Sequence, residues 1–354
     1  MDSMMAVEIK QTLERQFEVF LTPQDIRSMT FAKLQEIGAS DDKEKKNDSN
    51  EPKSVNDLSD VGLKYLIRAV GDEKSAYYPV VRIPSLYEDG STVEEPLTNH
   101  CTIFVIPGLE GIASMMEPLS KNLNMQVLCL QYDISGVAST IEEMAINHYQ
   151  LIEQRLPADQ EYFILGYSFG GLIALEVVKL LEKNNRKGKL WLIDSAPQFL
   201  RVTTELSVSG ENPLDDEIQI QLLKRFFDLV WPQNKDKLLM EFGNINSWDE
   251  RLNYFVEKVP DDVNYSKSYQ KQLFNSAYIK LKAIINYDET PTVILKTPTL
   301  LIRPTEQVLP ITEDYGLSKY FESSVMVHFV EGNHYTILEN KKIGELIGQS
   351  IAAN

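Results

Sequence analysis

The sequence is poor in cysteine, histidine and positive charge, and it has no long apolar run. Its 354 residues include two cysteines, Cys101 and Cys129. Each lies inside an apolar, strand-like run, so both read as buried thiols, and such sparse usage points to a reducing compartment, most simply the cytoplasm. No stretch approaches the roughly 18 consecutive apolar residues of a membrane-spanning helix. The opening residues lack a basic region followed by an apolar run, so no secretory signal is expected. Against 35 Lys and Arg stand 52 Asp and Glu, a formal net charge of −17. That sign is wrong for nucleic acid, whose phosphates demand a positive surface, and for an anionic membrane.

What is present separates into three textures. In residues 1–38, Met5, Ile9, Leu13 and Phe17 recur every fourth position, the spacing of one helical face. Asp2-Ser3 stands at the start of that face, where a serine serves either as a cap or as an attachment point. Thr22-Pro23 opens a second helical stretch, and "TFAKLQEIG" a third, closed by Gly38. Residues 39–60 are polar, mixed in charge and almost free of large apolar side chains, which predicts a flexible linker. From 61 to 354 apolar strand-like runs alternate with helical stretches, predicting an α/β domain with a mostly parallel sheet. The runs are "YYPVVRIPS", "CTIFVIPG", "MQVLCLQY", "EYFILGYS", "KLWLIDSAP", "TPTLLIRPT" and "VMVHFVEGNH". Residues 212–290 hold helical stretches and no strand, which predicts a helical lid over the carboxyl edge of the sheet.

Chemistry enters at "FILGYSFGGLIALEVV". Gly166-Tyr167-Ser168-Phe169-Gly170 follows an apolar strand and precedes an amphipathic helix, the setting of a nucleophile elbow and hence of an α/β-hydrolase fold. A serine hydroxyl needs a base. Of the four histidines, His100 precedes a strand, His148 lies in a helical stretch and His328 lies in a strand. His334 follows the last strand in the loop "EGNHYTIL", the position that the chain order serine, acid, histidine demands of the base. Two strand ends offer the acid: Asp194 after "KLWLI", and Asp314 or Glu306 after "TLLIRPT". Position favours Asp194 only mildly. Backbone N–H groups of Phe169 and of Leu109, in "PGLEG" after an earlier strand, are the expected oxyanion donors.

Taken together, "DSM" before the first helix, "FAKLQEIG", "PGLEG", "GYSFGG", "LIDSAP", "YIKLKAIINY" and "VEGNHYTILE" resemble the carboxy-terminal end of an animal-type fatty acid synthase. The resemblance implies a partial all-α acyl carrier protein over 1–38, a linker, and a thioesterase of α/β-hydrolase fold with a helical lid. It implies that the chain is a piece of a longer synthase, with the rest of that synthase and the acyl carrier protein in cis as partners. It places 4′-phosphopantetheine on Ser3, resolves the acid to Asp194, and makes a long-chain acyl thioester the substrate, hydrolysed by Ser168, Asp194 and His334 without a metal. A polyketide- or peptide-releasing thioesterase, which can cyclise its product, is the alternative. For an apolar chain the expected groove lining is Phe226, Phe227, Trp231, Phe255 and Phe274.

Overall fold

The computed structural model describes residues 68–83, 102–134, 138–205, 215–230, 235–259, 265–306 and 311–352. The expected carrier segment with Ser3, the expected linker, His100, Cys101 and Trp231 lie outside the described residues. Among the described residues one sheet is built from β1 (Val80–Ile83), β2 (Thr102–Ile106), β3 (Gln126–Leu130), β4 (Tyr162–Tyr167), β5 (Gly188–Ile193), β6 (Thr299–Pro304) and β7 (Met326–Val330). Its order is β1-β3-β2-β4-β5-β6-β7. β1 runs antiparallel to β3, and every other pair is parallel. Each strand falls within a residue of a run read from the sequence.

Burial on both faces explains why those runs are continuously apolar. Along β4 every residue is buried. Tyr162 and Ile164 join the core on one face, and Phe163, Leu165 and Tyr167 join the core on the other. β5 divides in the same way, Leu190 and Leu192 against Trp191 and Ile193. A strand covered on both sides has no polar face to alternate with.

The longer helices are α1 (Ile141–Glu153), α2 (Phe169–Lys183), α3 (Pro197–Glu205), α4 (Asp215–Val230), α5 (Lys235–Gly243), α6 (Trp248–Lys258), α7 (Lys267–Asn286) and α8 (Lys342–Ala352). α1 and α2 pack on one face of the sheet, α8 on the other. A reciprocal cap starts α1: the Glu143 N–H donates to the Thr140 hydroxyl oxygen, and the Thr140 N–H donates to the Glu143 carboxylate. The expected insertion contains α4 to α7, and its described residues hold no strand. It has a small core of its own, made by Leu223, Phe242, Phe255, Val256 and Val259. The segment before β1 clasps the last lid helix. Ser266 caps α7 while its own N–H and hydroxyl donate to Glu73, at 2.9 and 2.6 Å, and the Tyr269 hydroxyl donates to the Val70 carbonyl.

The strand order fixes where a ligand can sit. After β2 the chain moves to β3 on one side, then returns past β2 to β4 on the other. The loops leaving β2 and β4 therefore diverge at a topological switch point, where open α/β sheets bind ligands. This close fit of loop and helix depends on Gly170, since a Cβ there would lie 2.2 Å from the Ile106 carbonyl oxygen. Gly170→Ala is expected to lower stability by about 1–3 kcal/mol, the usual cost of overpacking. Gly348→Ala on α8, where an added Cβ meets nothing within 4 Å, should instead raise it by about 0.5–1 kcal/mol. Urea unfolding of the two variants beside the parent chain measures both.

Candidate active site

Ser168 sits between the end of β4 and the start of α2, with φ 51° and ψ −124°. A left-handed backbone at a non-glycine residue costs on the order of 1–3 kcal/mol and persists only when its surroundings enforce it. Here the Ser168 N–H donates to the Ile193 carbonyl at 3.1 Å, and the Ser195 hydroxyl donates to the Ser168 carbonyl. The turn thrusts the side chain out above the sheet's carboxyl edge, where Ser168 borders a cavity of about 590 Å³.

His334 Nε2 lies 3.0 Å from Ser168 Oγ, and His334 Nδ1 lies 2.6 Å from Asp194 Oδ2. Those two contacts assign the proton of a neutral imidazole to Nδ1, donating to the carboxylate and leaving Nε2 to accept from the serine. The imidazole is partly exposed and Asp194 wholly buried. Tyr167, the residue before the serine, fixes the histidine twice. Its ring stacks on the imidazole with centroids 5.1 Å apart, and its hydroxyl donates to the His334 carbonyl at 2.8 Å.

Asp194 terminates β5 with φ 45°, its N–H donating to the Ile302 carbonyl at 2.8 Å. Its second carboxylate oxygen, Oδ1, accepts from the Tyr315 hydroxyl at 2.7 Å. Burial pushes that phenol well above its ordinary pKa and the Asp194 charge adds to the shift, so Tyr315 stays protonated and donates. Tyr315 also has positive φ, 55°, and its ring lies between the Phe199 ring, at 4.6 Å, and the Arg303 guanidinium, at 3.9 Å. Sequence reasoning missed Tyr315, Phe199 and Ser195; no spacing or pattern marks them. Tyr167 stood inside the elbow and was passed over.

The other two candidate acids engage other groups. The Asp314 carboxylate accepts from the Thr312 hydroxyl, the Ser318 N–H and the Gly316 N–H. Burial pushes its pKa up, but those donors outweigh it and hold the carboxyl at about 2. Glu306 accepts from the Asn333 amide at 3.3 Å and is exposed. His148 is buried in α1 between the Met144 and Leu130 carbonyls. Cys129 is a buried thiol whose pKa burial pushes far up.

Leu109 and Phe169 border the same cavity as Ser168, one from the loop after β2 and one from the first position of α2. Apolar side chains from the lid and α3 supply most of the remaining wall, among them Leu200, Leu222, Phe226, Leu273, Phe274 and Leu281. Two of the expected aromatic residues, Phe226 and Phe274, therefore line the cavity. Phe255 does not: it is fully buried in the lid's own core, its ring packed behind theirs at 5.2 and 4.1 Å. The side chain of Phe227, like Trp231, lies outside the described residues. Among the described residues no group of His, Cys, Asp and Glu could hold a metal ion, and no helix is long and apolar enough to cross a membrane.

Residues 101–352 match the family model described as "Thioesterase domain". A nonribosomal peptide synthetase of Ascocoryne sarcoides is 23% identical over 212 residues, which are 56% of this chain and 22% of that one. The chain thus spans about a fifth of that relative's length. Among solved structures, a four-domain nonribosomal peptide synthetase bound to AMP and glycine superposes with a TM-score of 0.61 at 17% identity, over 99% of this chain and 24% of its own. The Vlm2 thioesterase domain bound with a dodecadepsipeptide gives 0.53 at 14% identity, over 78% and 98%. At such identities these two likenesses show a shared fold. The relatives' names are those of peptide synthetases, where the sequence resemblance pointed to an animal fatty acid synthase.

The geometry separates the two candidate acids experimentally. Asp194→Asn should lower turnover of an activated ester by about 10⁴-fold, as loss of the carboxylate favours the wrong imidazole tautomer. Asp314→Asn should leave turnover within about twofold while lowering the melting temperature at neutral pH. A carboxyl held below its unfolded value stabilises the fold above that value, so the stability gap should close as pH falls from 3.8 through about 2. Parallel kinetics and thermal melts of both variants check these outcomes.

Proposed function

Because the chain belongs to the thioesterase domain family, we infer that it releases an acyl product from a carrier-bound thioester through an acyl-serine intermediate. The observation that carries this reading is the linked set Ser168–His334–Asp194, at 3.0 and 2.6 Å, opening onto an apolar cavity. His334 Nε2 takes the proton from Ser168 Oγ as that oxygen attacks the thioester carbonyl carbon. The Leu109 and Phe169 N–H groups donate to the oxyanion that forms. The carbon–sulfur bond then breaks, and the imidazolium returns its proton to the departing thiolate. Water, deprotonated by His334, attacks the acyl-serine, and Ser168 leaves with the proton. Asp194 keeps Nδ1 protonated throughout and steadies the imidazolium.

The sulfur of such a substrate belongs to a phosphopantetheine arm, which the sequence resemblance sets on Ser3, outside the described residues; no step here depends on that residue. Two product classes fit. The relatives' names favour release of a peptide- or polyketide-type product, linear or cyclised. The lining by Leu222, Phe226, Leu273, Phe274 and Leu281, with no lysine or arginine among the described residues of the wall, favours an unfunctionalised fatty acyl chain. A panel of pantetheine thioesters, graded fatty acyl and peptidyl, with mass identification of acid or macrocycle, separates them. Ser168→Ala should lower release by at least about a thousandfold and abolish labelling by a fluorophosphonate. Undiminished release by that variant would defeat the reading.

A further inference from the structure

Lys280 lies on α7, the lid helix that leads back towards the sheet, and is 1% exposed. Burying an ammonium is costly unless polar partners hold it. Its Nζ donates to the Leu109 carbonyl at 2.9 Å and faces the Tyr132 ring, 4.6 Å from the centroid. The loop after β2 is shaped around this group. Gly111 has φ 80°, and a Cβ there would lie 2.4 Å from Lys280 Nζ. The Gly111 N–H donates to the Gly108 carbonyl at 3.1 Å, and the Tyr132 N–H donates to the Gly111 carbonyl at 3.1 Å. The turn is thus closed on itself, with the Leu109 carbonyl held by the lid.

We propose that Lys280 is a positioning residue: by holding the Leu109 carbonyl it sets the aim of the Leu109 N–H and ties the oxyanion loop to lid helix α7. The inference rests on the reading of that N–H as an oxyanion donor. The Leu109 N–H shares a peptide plane with the Gly108 carbonyl, which the Gly111 N–H holds. Pinning the Leu109 carbonyl as well holds the planes on both sides of the residue and leaves the N–H little room to swing. An oxyanion hole works through donors already aimed before charge develops, and a loop freed from Lys280 would have to be re-aimed at each turnover. One charged group, Glu110, and two uncharged rings, Tyr132 and His148, surround the ammonium. Burial pushes its pKa down to about 7, and Glu110, in the loop itself, pulls the other way. Tyr132 offers its ring from the segment after β3, and His148 in α1 is buried and neutral, its pKa pushed down to about 4. A neutral amine keeps N–H donors, so the bond to Leu109 survives titration of Lys280.

Lys280→Met tests this, since it keeps the stem and removes the donor. With the thioester that the parent chain hydrolyses fastest, kcat should fall about tenfold, the rate equivalent of one hydrogen bond to a charged group, with KM within about twofold. Affinity for the matching acyl trifluoromethyl ketone, which adds Ser168 to form a hemiketal oxyanion, should fall by the same factor. Affinity for the matching amide, which forms no oxyanion, should not change. An unchanged kcat, a rise in KM alone, or a fall in kcat with full trifluoromethyl ketone affinity would each overturn the proposal. If circular dichroism shows Lys280→Met unfolded, Lys280→Gln carries the same test, its shorter amide falling short of the Leu109 carbonyl. Absence of acid release from the parent chain would sink the functional reading instead. In that event the rate of Ser168 phosphonylation by a fluorophosphonate, which also develops an anionic oxygen, still decides the role of Lys280.

Discussion

Everything in the site hangs on two strand ends forced into left-handed backbone. Ser168 and Asp194 end adjacent parallel strands with φ 51° and 45°, a conformation that side chains resist. The sheet enforces it through its neighbours: the Ser168 N–H is bonded to Ile193 at the end of β5, and the Asp194 N–H to Ile302 within β6. Strain of this kind turns each side chain up from the sheet's edge instead of letting it follow the pleat into a core. Tyr315, which braces the aspartate, is held in the same unfavourable region. His334 is the member carried by a loop, and Tyr167 clamps it through both ring and hydroxyl. Rigid ends and one clamped loop suit a reaction whose groups must already be aligned when charge appears.

How much of this was legible in the sequence follows from what each feature leaves in it. Strands buried on both faces appear as short apolar runs, so the sheet could be read from "YFILGY" and its equals. The elbow could be read because glycines must flank a strained serine beside a strand and a helix. The choice between Asp194 and Asp314 was hardly legible from position, because both follow strands. What distinguishes them is which way the carboxylate turns: one meets Nδ1 of His334, the other caps its own turn through Thr312, Gly316 and Ser318. The groove was least legible. Phe226, Phe255 and Phe274 are alike in sequence, all aromatic on amphipathic lid helices, yet Phe255 belongs to the lid's inner core and the other two to the cavity wall. Nothing in a helical period separates a side chain facing a ligand from one facing another helix. Lys280 was invisible for the opposite reason, since a lysine on a helix ordinarily signals solvent.

The stretch ahead of the family match does more than lead into it. The match begins at residue 101, whereas Ala69 and Val70 form part of the cavity wall. Glu73 holds the first turn of α7, and β1 pairs with β3 from Val127 to Leu130. An excision made where the family match starts would therefore open the cavity on one side, loosen the helix that carries Lys280, and bare the edge of β3 to pairing with other chains. The heritable unit that families are recognised by and the mechanical unit that encloses a substrate have different borders. Here the second reaches back at least to Arg68, whose ion pair with Glu339 ties the leading segment to the turn before α8.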